Sequence, residues 1–315
     1  MAAPQTCRTS LEIASQPDTW RQAARSLGSL GAALPRRGER VAVVGCGTSW
    51  FMALAYAQLR EGGGHGETDA FAASEFPTGR AYDRVLAITR SGTTTEVLDL
   101  LARLKGTVPT SAITADPATA VMDLADSVAV LDFADEESVV QTRFATTVLA
   151  LLRAHLEAEG ALPDGVGPLA RAIEDAERAV DAPIGDELRT AEQFTFLGTG
   201  WSYGLALEAG LKMREAAGAW TESYPAMEYR HGPISITGPN RVAWLFGPAP
   251  LGLADDVAKV GGTFVAGSGA GGLDPLADLI LVQRLAVLIA QDRGYDPDRP
   301  RNLTRSVILD DSHAG

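Results

Sequence analysis

Lysine is scarce in this chain of 315 residues. Lys105, Lys212 and Lys259 are the only three, and arginine carries nearly all the positive charge. Acids outnumber bases by 40 to 27, for a net charge of −13. Nucleic acid is gripped by Lys and Arg that neutralise phosphates, and anionic membrane surfaces attract the same residues, so neither partner is expected. Cysteine occurs twice, at Cys7 and Cys46, without CxxC spacing or a Cys/His cluster. That pattern suggests neither a disulfide framework nor a zinc site. No apolar run reaches the ~20 residues a membrane helix needs. The start, "MAAPQTCRTSLEIASQP", lacks the basic and apolar regions of a secretory signal, so a cytoplasmic location is the default expectation.

The chain has 46% apolar residues and a length that suggests two domains. It also repeats itself. "VAVVGCGTSWFMALAYAQLRE" (41–61) and "FTFLGTGWSYGLALEAGLKMRE" (194–215) each pass from a short apolar strand through G-x-G-x-S into a helix. Gly45, Gly47 and Ser49 fall opposite Gly198, Gly200 and Ser202 at a constant offset. Strands are expected at 41–45, 84–89, 109–116 and 127–133, and again at 194–198, 241–246 and 262–266. Helices are expected at 48–61, 94–105, 137–158 and 169–181, with a Gly/Pro-rich linker at 159–168. Alternating strands and helices make an α/β protein with parallel sheets covered on both faces, which binds ligands at the carboxyl ends of strands. The G-x-G-x-S turns are not a dinucleotide fingerprint, because Trp50 stands where that motif needs its third glycine, although Asp69 lies near the position of a ribose-binding acid.

The stretch "VLAITRSGTTTEVLDLLARLKG" (85–106) concentrates hydroxyls at a strand-to-helix junction: Thr89, Ser91, Thr93, Thr94 and Thr95, with Arg90 and Gly92 among them. Unpaired N–H groups at a helix start carry partial positive charge, and a glycine lets the backbone approach a ligand. Such a junction suits an anion. Without a Walker lysine the natural guest is a phosphate monoester on a small molecule, set against the plainer reading of a Ser/Thr helix cap.

Several motifs occur in order: "CGTSW", "ASEF", "TRSGTTTEV", "EESVVQTRFATT", "FLGTGWSYGLALEAGLKMREAAGAWTESYPAMEYRHGP" and "DRPRNLTRSV". In these the chain resembles the tandem sugar-isomerase (SIS) domain proteins, in particular the isomerase half of glutamine–fructose-6-phosphate aminotransferase, from about residue 11 onward. The resemblance implies two flavodoxin-like SIS units, at 36–162 and 163–300, between a helical segment at 1–35 and a tail at 301–315 that closes over the site. It implies a homodimer with shared active sites, a phosphosugar substrate and no cofactor or metal. The phosphate falls to Thr89, Ser91 and Thr94, with Arg90 and Gly92 in the same loop. Thr48, Ser49 and Val139 join the binding set. Glu215, after Lys212 on a helix, matches the base that moves a proton between C1 and C2. His231 of "YRHGP" matches the ring-opening histidine that serves across the subunit boundary, and Arg305 stands where the family's tail carries a lysine.

The residue types suit that chemistry. Aldose–ketose isomerisation needs a carboxylate that takes and returns one proton, a group such as His to open the ring, and a cation near the developing oxyanion. Lys212 and Glu215 at i, i+3 share a helix face, as a surface ion pair also would. His65, His155 and His313 have no comparable setting and are expected on the surface. The family's "SQSGET" loop reads "TRSGTT" here, similar to SIS-type galactosamine-6-phosphate deaminases. Arg90 either strengthens phosphate binding or pairs with an acid. Arg305 cannot form a Schiff base. The sequence starts about where the isomerase half starts, so no glutaminase activity is expected. The resulting expectation is an amino-sugar 6-phosphate isomerase or deaminase converting glucosamine 6-phosphate to fructose 6-phosphate and ammonia. A dehydratase of N-acetylglucosamine 6-phosphate using the same base, and a phosphosugar-sensing protein, are the alternatives.

Overall fold

The computed structural model describes residues 6–267 and 272–309. The chain forms two compact units that interleave along the sequence. One takes the described residues of 19–136, 143–166 and 304–309; the other takes those of 6–18, 137–142 and 167–303.

In the first unit five short runs form one parallel sheet: β1 (Val41–Gly45), β2 (Thr68–Ala72), β3 (Arg84–Ile88), β4 (Thr110–Thr114) and β5 (Ser127–Val130). The order is β2-β1-β3-β4-β5, the flavodoxin-like order. Every residue of β1, β3 and β4 is buried, as parallel strands covered on both faces require. The helix Thr95–Leu104 is amphipathic. It sets Val97, Leu100 and Leu101 against Val85, Ala87 and Ala112 of the sheet. The helices Thr48–Gly62 and Arg143–Ala158 pack on each other.

The second unit repeats the plan with four parallel strands, β6 (Gln193–Gly198), β7 (Trp220–Pro225), β8 (Arg241–Phe246) and β9 (Thr263–Ala266), in the order β7-β6-β8-β9. Its helix Ser202–Ala217 packs against Pro275–Asp292, which in turn packs on Leu169–Asp181. The helix Pro275–Asp292 opens with proline at its first turn and with the Asp274 side chain accepting from the Leu276 N–H at 3.0 Å.

The internal repeat has a steric basis. A Cβ at Gly45 would lie 2.7 Å from Ser49, and one at Gly198 would lie 2.4 Å from the Ser202 carbonyl oxygen. In both copies the start of the helix leans onto the end of the strand, and only glycine leaves room. Gly47 and Gly200 then turn the chain with φ near +54° and +57°.

Two strands were not anticipated, β2 and β7, and they occupy the same edge of the two sheets. Both are half-exposed and carry polar residues, "TDAFA" and "WTESYP", so neither shows a continuous apolar run. The helix Pro275–Asp292 also escaped, because twelve of its residues are buried and it has no polar stripe to reveal its period. The helix expected over 137–158 begins at Arg143. Glu12 holds the preceding turn, accepting from the N–H groups of Glu137 at 2.6 Å and Ser138 at 3.3 Å.

The surface placement of the histidines is corrected. His65 is fully buried and His155 is half-buried, with ring centroids 5.4 Å apart; His313 lies outside the described residues. The cause is Arg60, also fully buried. It donates to His65 Nδ1 at 3.2 Å, Thr68 Oγ1 at 2.7 Å, and the carbonyls of Arg36 and Glu39 at 2.7 and 2.9 Å. That clamp draws the His65 loop inward. Among the described residues, no helix is long and apolar enough to cross a membrane.

Candidate active site

In the first unit the sheet order reverses between β1 and β3, so the loops leaving these two strands flank the topological switch point. The loop after β1 leads into the helix that starts at Thr48 and Ser49, both buried. The loop after β3 carries the hydroxyls. Thr89 continues the ladder, its N–H donating to Ile113 O at 3.0 Å. Among the described residues its Oγ1 is buried without a hydrogen-bond partner, as is Trp50 Nε1 beside the other loop. Gly92 turns the chain at φ +64°, and a Cβ there would meet Thr119 Oγ1 at 2.0 Å. Ser91 Oγ accepts from the Thr93 N–H at 3.2 Å. Thr94 is the N-cap of Thr95–Leu104, but its side chain makes no cap hydrogen bond. Buried hydroxyls at a helix start, one of them unpartnered, are what a phosphate monoester would satisfy.

Arg90 does not point an uncompensated charge at this loop. Its Nη1 lies 3.6 Å from Glu136 Oε2, with both side chains buried. Glu136 also accepts from the N–H groups of Arg143 at 2.8 Å and Phe144 at 3.3 Å, at the start of the helix Arg143–Ala158. The tail runs along the same loop. Arg90 Nη2 donates to Arg305 O at 3.1 Å, Thr93 and Ser306 share a hydroxyl contact at 3.0 Å, and the Thr95 N–H donates to Val307 O at 3.1 Å. The Arg305 guanidinium reaches Asp135 Oδ1 at 2.5 Å and the Glu136 carbonyl. Nearby, burial first and Glu96 second push the Cys46 thiol up to about 11, so it stays protonated at neutral pH.

The second unit lacks such a loop at the equivalent place. Ser202 Oγ, the counterpart of the Ser49 hydroxyl, donates to Phe246 O at 2.8 Å and accepts from the Thr199 N–H at 2.9 Å. The chain after β8 reads "GPAPLG", without a hydroxyl. What this unit offers is a row of charge on the helix Ser202–Ala217. Lys212 Nζ lies 3.4 Å from Glu208 Oε1 and also pairs with Glu215. Glu208 and Lys212 are shut away from solvent, while Glu215 is 18% exposed. Glu215 opens onto a cavity of about 450 Å³.

His231 is exposed on the short helical turn Glu228–His231 of this unit. Val139 donates its N–H to Asp298 O at 3.2 Å. Asp298 also accepts from the Thr9 N–H at 2.8 Å. Burial alone would raise the Asp298 pKa, but its hydrogen bonds from Thr9 and Arg8 bring it down. Asp69 accepts from the Tyr82 hydroxyl at 2.6 Å. Among the described residues, no group of three or more His, Cys, Asp or Glu is placed to hold a metal ion.

Sequence reading missed Glu136 and Glu208. Glu208 had a legible signal, since it stands four residues before Lys212 and seven before Glu215 on one helix face. Glu136 had none, because its link to Arg90 spans two strands of the sheet.

No family model matches the chain. It is 30% identical over 308 residues to the glutamine–fructose-6-phosphate aminotransferase (isomerizing) of Methanothermobacter thermautotrophicus, a match over 86% of this chain and 52% of that protein. It is 30% identical over 327 residues to the enzyme of the same name from Thermus thermophilus, over 89% and 54% respectively. The chain thus spans about half the length of the curated relatives it matches. Among solved structures, glucosamine-6-phosphate deaminase of Thermotoga maritima superposes with a TM-score of 0.77 at 22% identity, over 96% of this chain and all of that one. The C-terminal domain of glucosamine-fructose-6-phosphate aminotransferase from Francisella tularensis gives 0.74 at 20%, over 95% and 100%. Tagatose-6-phosphate ketose/aldose isomerase of Escherichia coli gives 0.76 at 17%, over 98% and 99%. The chain therefore shares the α/β fold of these sugar-phosphate proteins, with parallel sheets flanked by helices.

Proposed function

We propose that the protein is a SIS-type sugar-phosphate isomerase or deaminase acting on an amino-sugar 6-phosphate, with glucosamine 6-phosphate giving fructose 6-phosphate and ammonia. The observation that carries this reading is the Glu208–Lys212–Glu215 row. A fully buried ammonium between two carboxylates is expensive to maintain for stability alone. Here it fixes the one carboxylate of the row that opens onto a cavity. A phosphosugar sensor would need no such base.

In this reading each sheet with its helices is one SIS unit. Thr89, Ser91, Gly92 and Thr94 take the phosphate, with Thr48 and Ser49 at the neighbouring loop. The unpartnered Thr89 hydroxyl supports that role. Glu215 carries the proton between C1 and C2, and Lys212 holds its orientation. Arg90, compensated by Glu136, acts by holding the tail carbonyl of Arg305 against the loop rather than as an extra phosphate cation. The Arg305 side chain, engaged by Asp135, braces the tail. The exposed His231 suits ring opening in a second copy of the chain, so the working form is a homodimer. A small phosphosugar is the ligand, with no nucleic acid, membrane, metal or cofactor taking part.

The test is incubation of the purified protein with glucosamine 6-phosphate, following fructose 6-phosphate and ammonia, with Glu215→Gln as control. Equal release of both products by the wild type and none by the variant is expected. Silence from the wild type, or release that survives in Glu215→Gln, would overturn the reading.

A further inference from the structure

The second unit holds another cavity, lined by none of the residues given a role above. Its volume is about 200 Å³, and it opens between the helices Arg8–Ala14 and Pro275–Asp292. Ser10 and Ile13 line it from the first helix, and Arg284, Val287, Leu288 and Gln291 from the second. The spacings are those of neighbours on one helix face, so the two helices turn these faces toward a shared groove. Its walls are aliphatic at Ile13, Val287 and Leu288.

Arg284 gives the groove its chemistry. Its Nη1 donates to the carbonyls of Ala179 and Ala182 at 2.7 and 2.6 Å, at the end of the helix Leu169–Asp181. Both bonds leave from one nitrogen. The Nε–Nη2 edge has no acceptor among the described residues, and no carboxylate there pairs with the guanidinium. That edge is the fork that takes a carboxylate through two parallel hydrogen bonds. Burial pulls the Arg284 pKa below the usual guanidinium range, and the charge of Asp181 works against that. A cation partly stripped of water gains more from an anion than one on the open surface.

We propose that this groove is a binding site for a small aliphatic carboxylate. The carboxylate lies on Nε and Nη2 of Arg284, and the chain lies among Ile13, Val287 and Leu288. The volume is below the range of drug-sized pockets, so the chain is short. A phosphosugar does not fit the same description. Its phosphate would satisfy the fork, but its hydroxyls would face aliphatic walls without partners. The site goes beyond the phosphosugar reading and does not depend on it.

The test is titration of the full chain with isovalerate, followed by calorimetry or ligand-detected NMR. Two controls run beside it: 3-methylbutan-1-ol has the same skeleton without the charge, and acetate has the charge without the chain. Isovalerate is expected to bind about 10-fold or more tightly than either, since the charge-assisted bonds and the buried chain each contribute that much. Isovalerate held no tighter than the alcohol would mean that Arg284 does not read the charge. Isovalerate held no tighter than acetate would mean an ion pair without a pocket. Either result, or no saturable binding, overturns the proposal.

Two variants locate the site. Leu288→Glu places a carboxylate four residues from Arg284 on the same face, where it takes the fork and fills the groove. It should abolish binding with little change in the thermal melt. Arg284→Lys keeps a cation for the Ala179 and Ala182 carbonyls but loses the fork. It should weaken isovalerate by about 10-fold and leave the alcohol unchanged. Wild-type affinity in either folded variant would put the acid elsewhere. A dimer that Leu288→Glu splits in sedimentation, with no isovalerate binding by the wild type, would give the groove to a second copy of the chain and overturn the proposal.

Discussion

Lys212 lies against the Glu215 carboxylate one turn further along the same helix, and the ammonium is 1% exposed where the carboxylate is 18%. The pair is therefore asymmetric: one member belongs to the interior and the other to the cavity. Glu208, wholly buried on the far side of Lys212, shares the ammonium.

Removing the two members should have opposite consequences. Lys212→Met leaves Glu208 buried without its cation, and breaking a buried pair in this way costs about 3–5 kcal/mol. Glu215→Gln changes a partly exposed group and should alter the urea midpoint little. It should nevertheless lower kcat by about 10²–10⁴-fold, the usual contribution of a positioned proton-transfer group. Denaturation and turnover measured on both variants check this. A Glu215→Gln protein as unstable as Lys212→Met would mean the row is structural.

The glycines of the repeat should be intolerant of the smallest possible addition. Gly198→Ala places a methyl 2.4 Å from the Ser202 carbonyl oxygen, and Gly45→Ala places one 2.7 Å from Ser49. Overpacking of this kind costs about 1–3 kcal/mol. The neighbouring atoms are largely backbone, which cannot swing aside, so the upper half of that range is expected. Gly28→Ala, whose added Cβ would meet nothing within 4 Å, is the control. Thermal melts of the three variants decide it.

The same repeat explains how much of the molecule could be read in advance. The G-x-G-x-S turns, the apolar central strands and the hydroxyl loop all depend on short-range pattern, and they stand where expected. β2 and β7 do not, because an edge strand is satisfied on one side by solvent and its residues show it. The clamp of Arg60 on His65 is a different failure. An arginine near a His-Gly loop looks like a surface pair until the helix Thr48–Gly62 turns it inward. The pairing of Lys212 with Glu215 on one helix face was legible from their spacing. The arginines of the Glu215 cavity were not, since Arg214 and Arg299 are far apart in the chain and only the fold brings them together.

His65 makes the first unit sensitive to acid. Burial first, and then the nearby charge of Arg60, hold its pKa down to about 4. An unfolded His titrates near 6.5. Between those values the unfolded chain binds more protons, so stability is full above about pH 6.5 and falls as pH drops towards 4. His155 shifts in the same direction through its own burial. Between pH 7.5 and 4.5 the urea midpoint of the wild type should fall relative to that of His65→Gln. Parallel curves would show that His65 is not the group responsible.

Asp278 acts in the opposite sense in the second unit. It is fully buried; the Trp244 Nε1–H donates to Oδ2 at 3.2 Å, while Oδ1 has no hydrogen-bond partner among the described residues. Burial raises its pKa to about 7, outweighing the lowering by Trp244. An unfolded Asp titrates near 3.9, so from there up to about pH 7 the folded protein holds the extra proton. Its contribution is then present in acid and lost as pH rises through 7. Asp278→Asn keeps an acceptor for Trp244 and cannot ionise. The variant should gain on the wild type progressively between pH 4 and 8, by on the order of 2–4 kcal/mol at the alkaline end. The measurement is the difference in unfolding free energy across that range. A constant difference would mean that the buried carboxyl finds a partner for its charge on ionising.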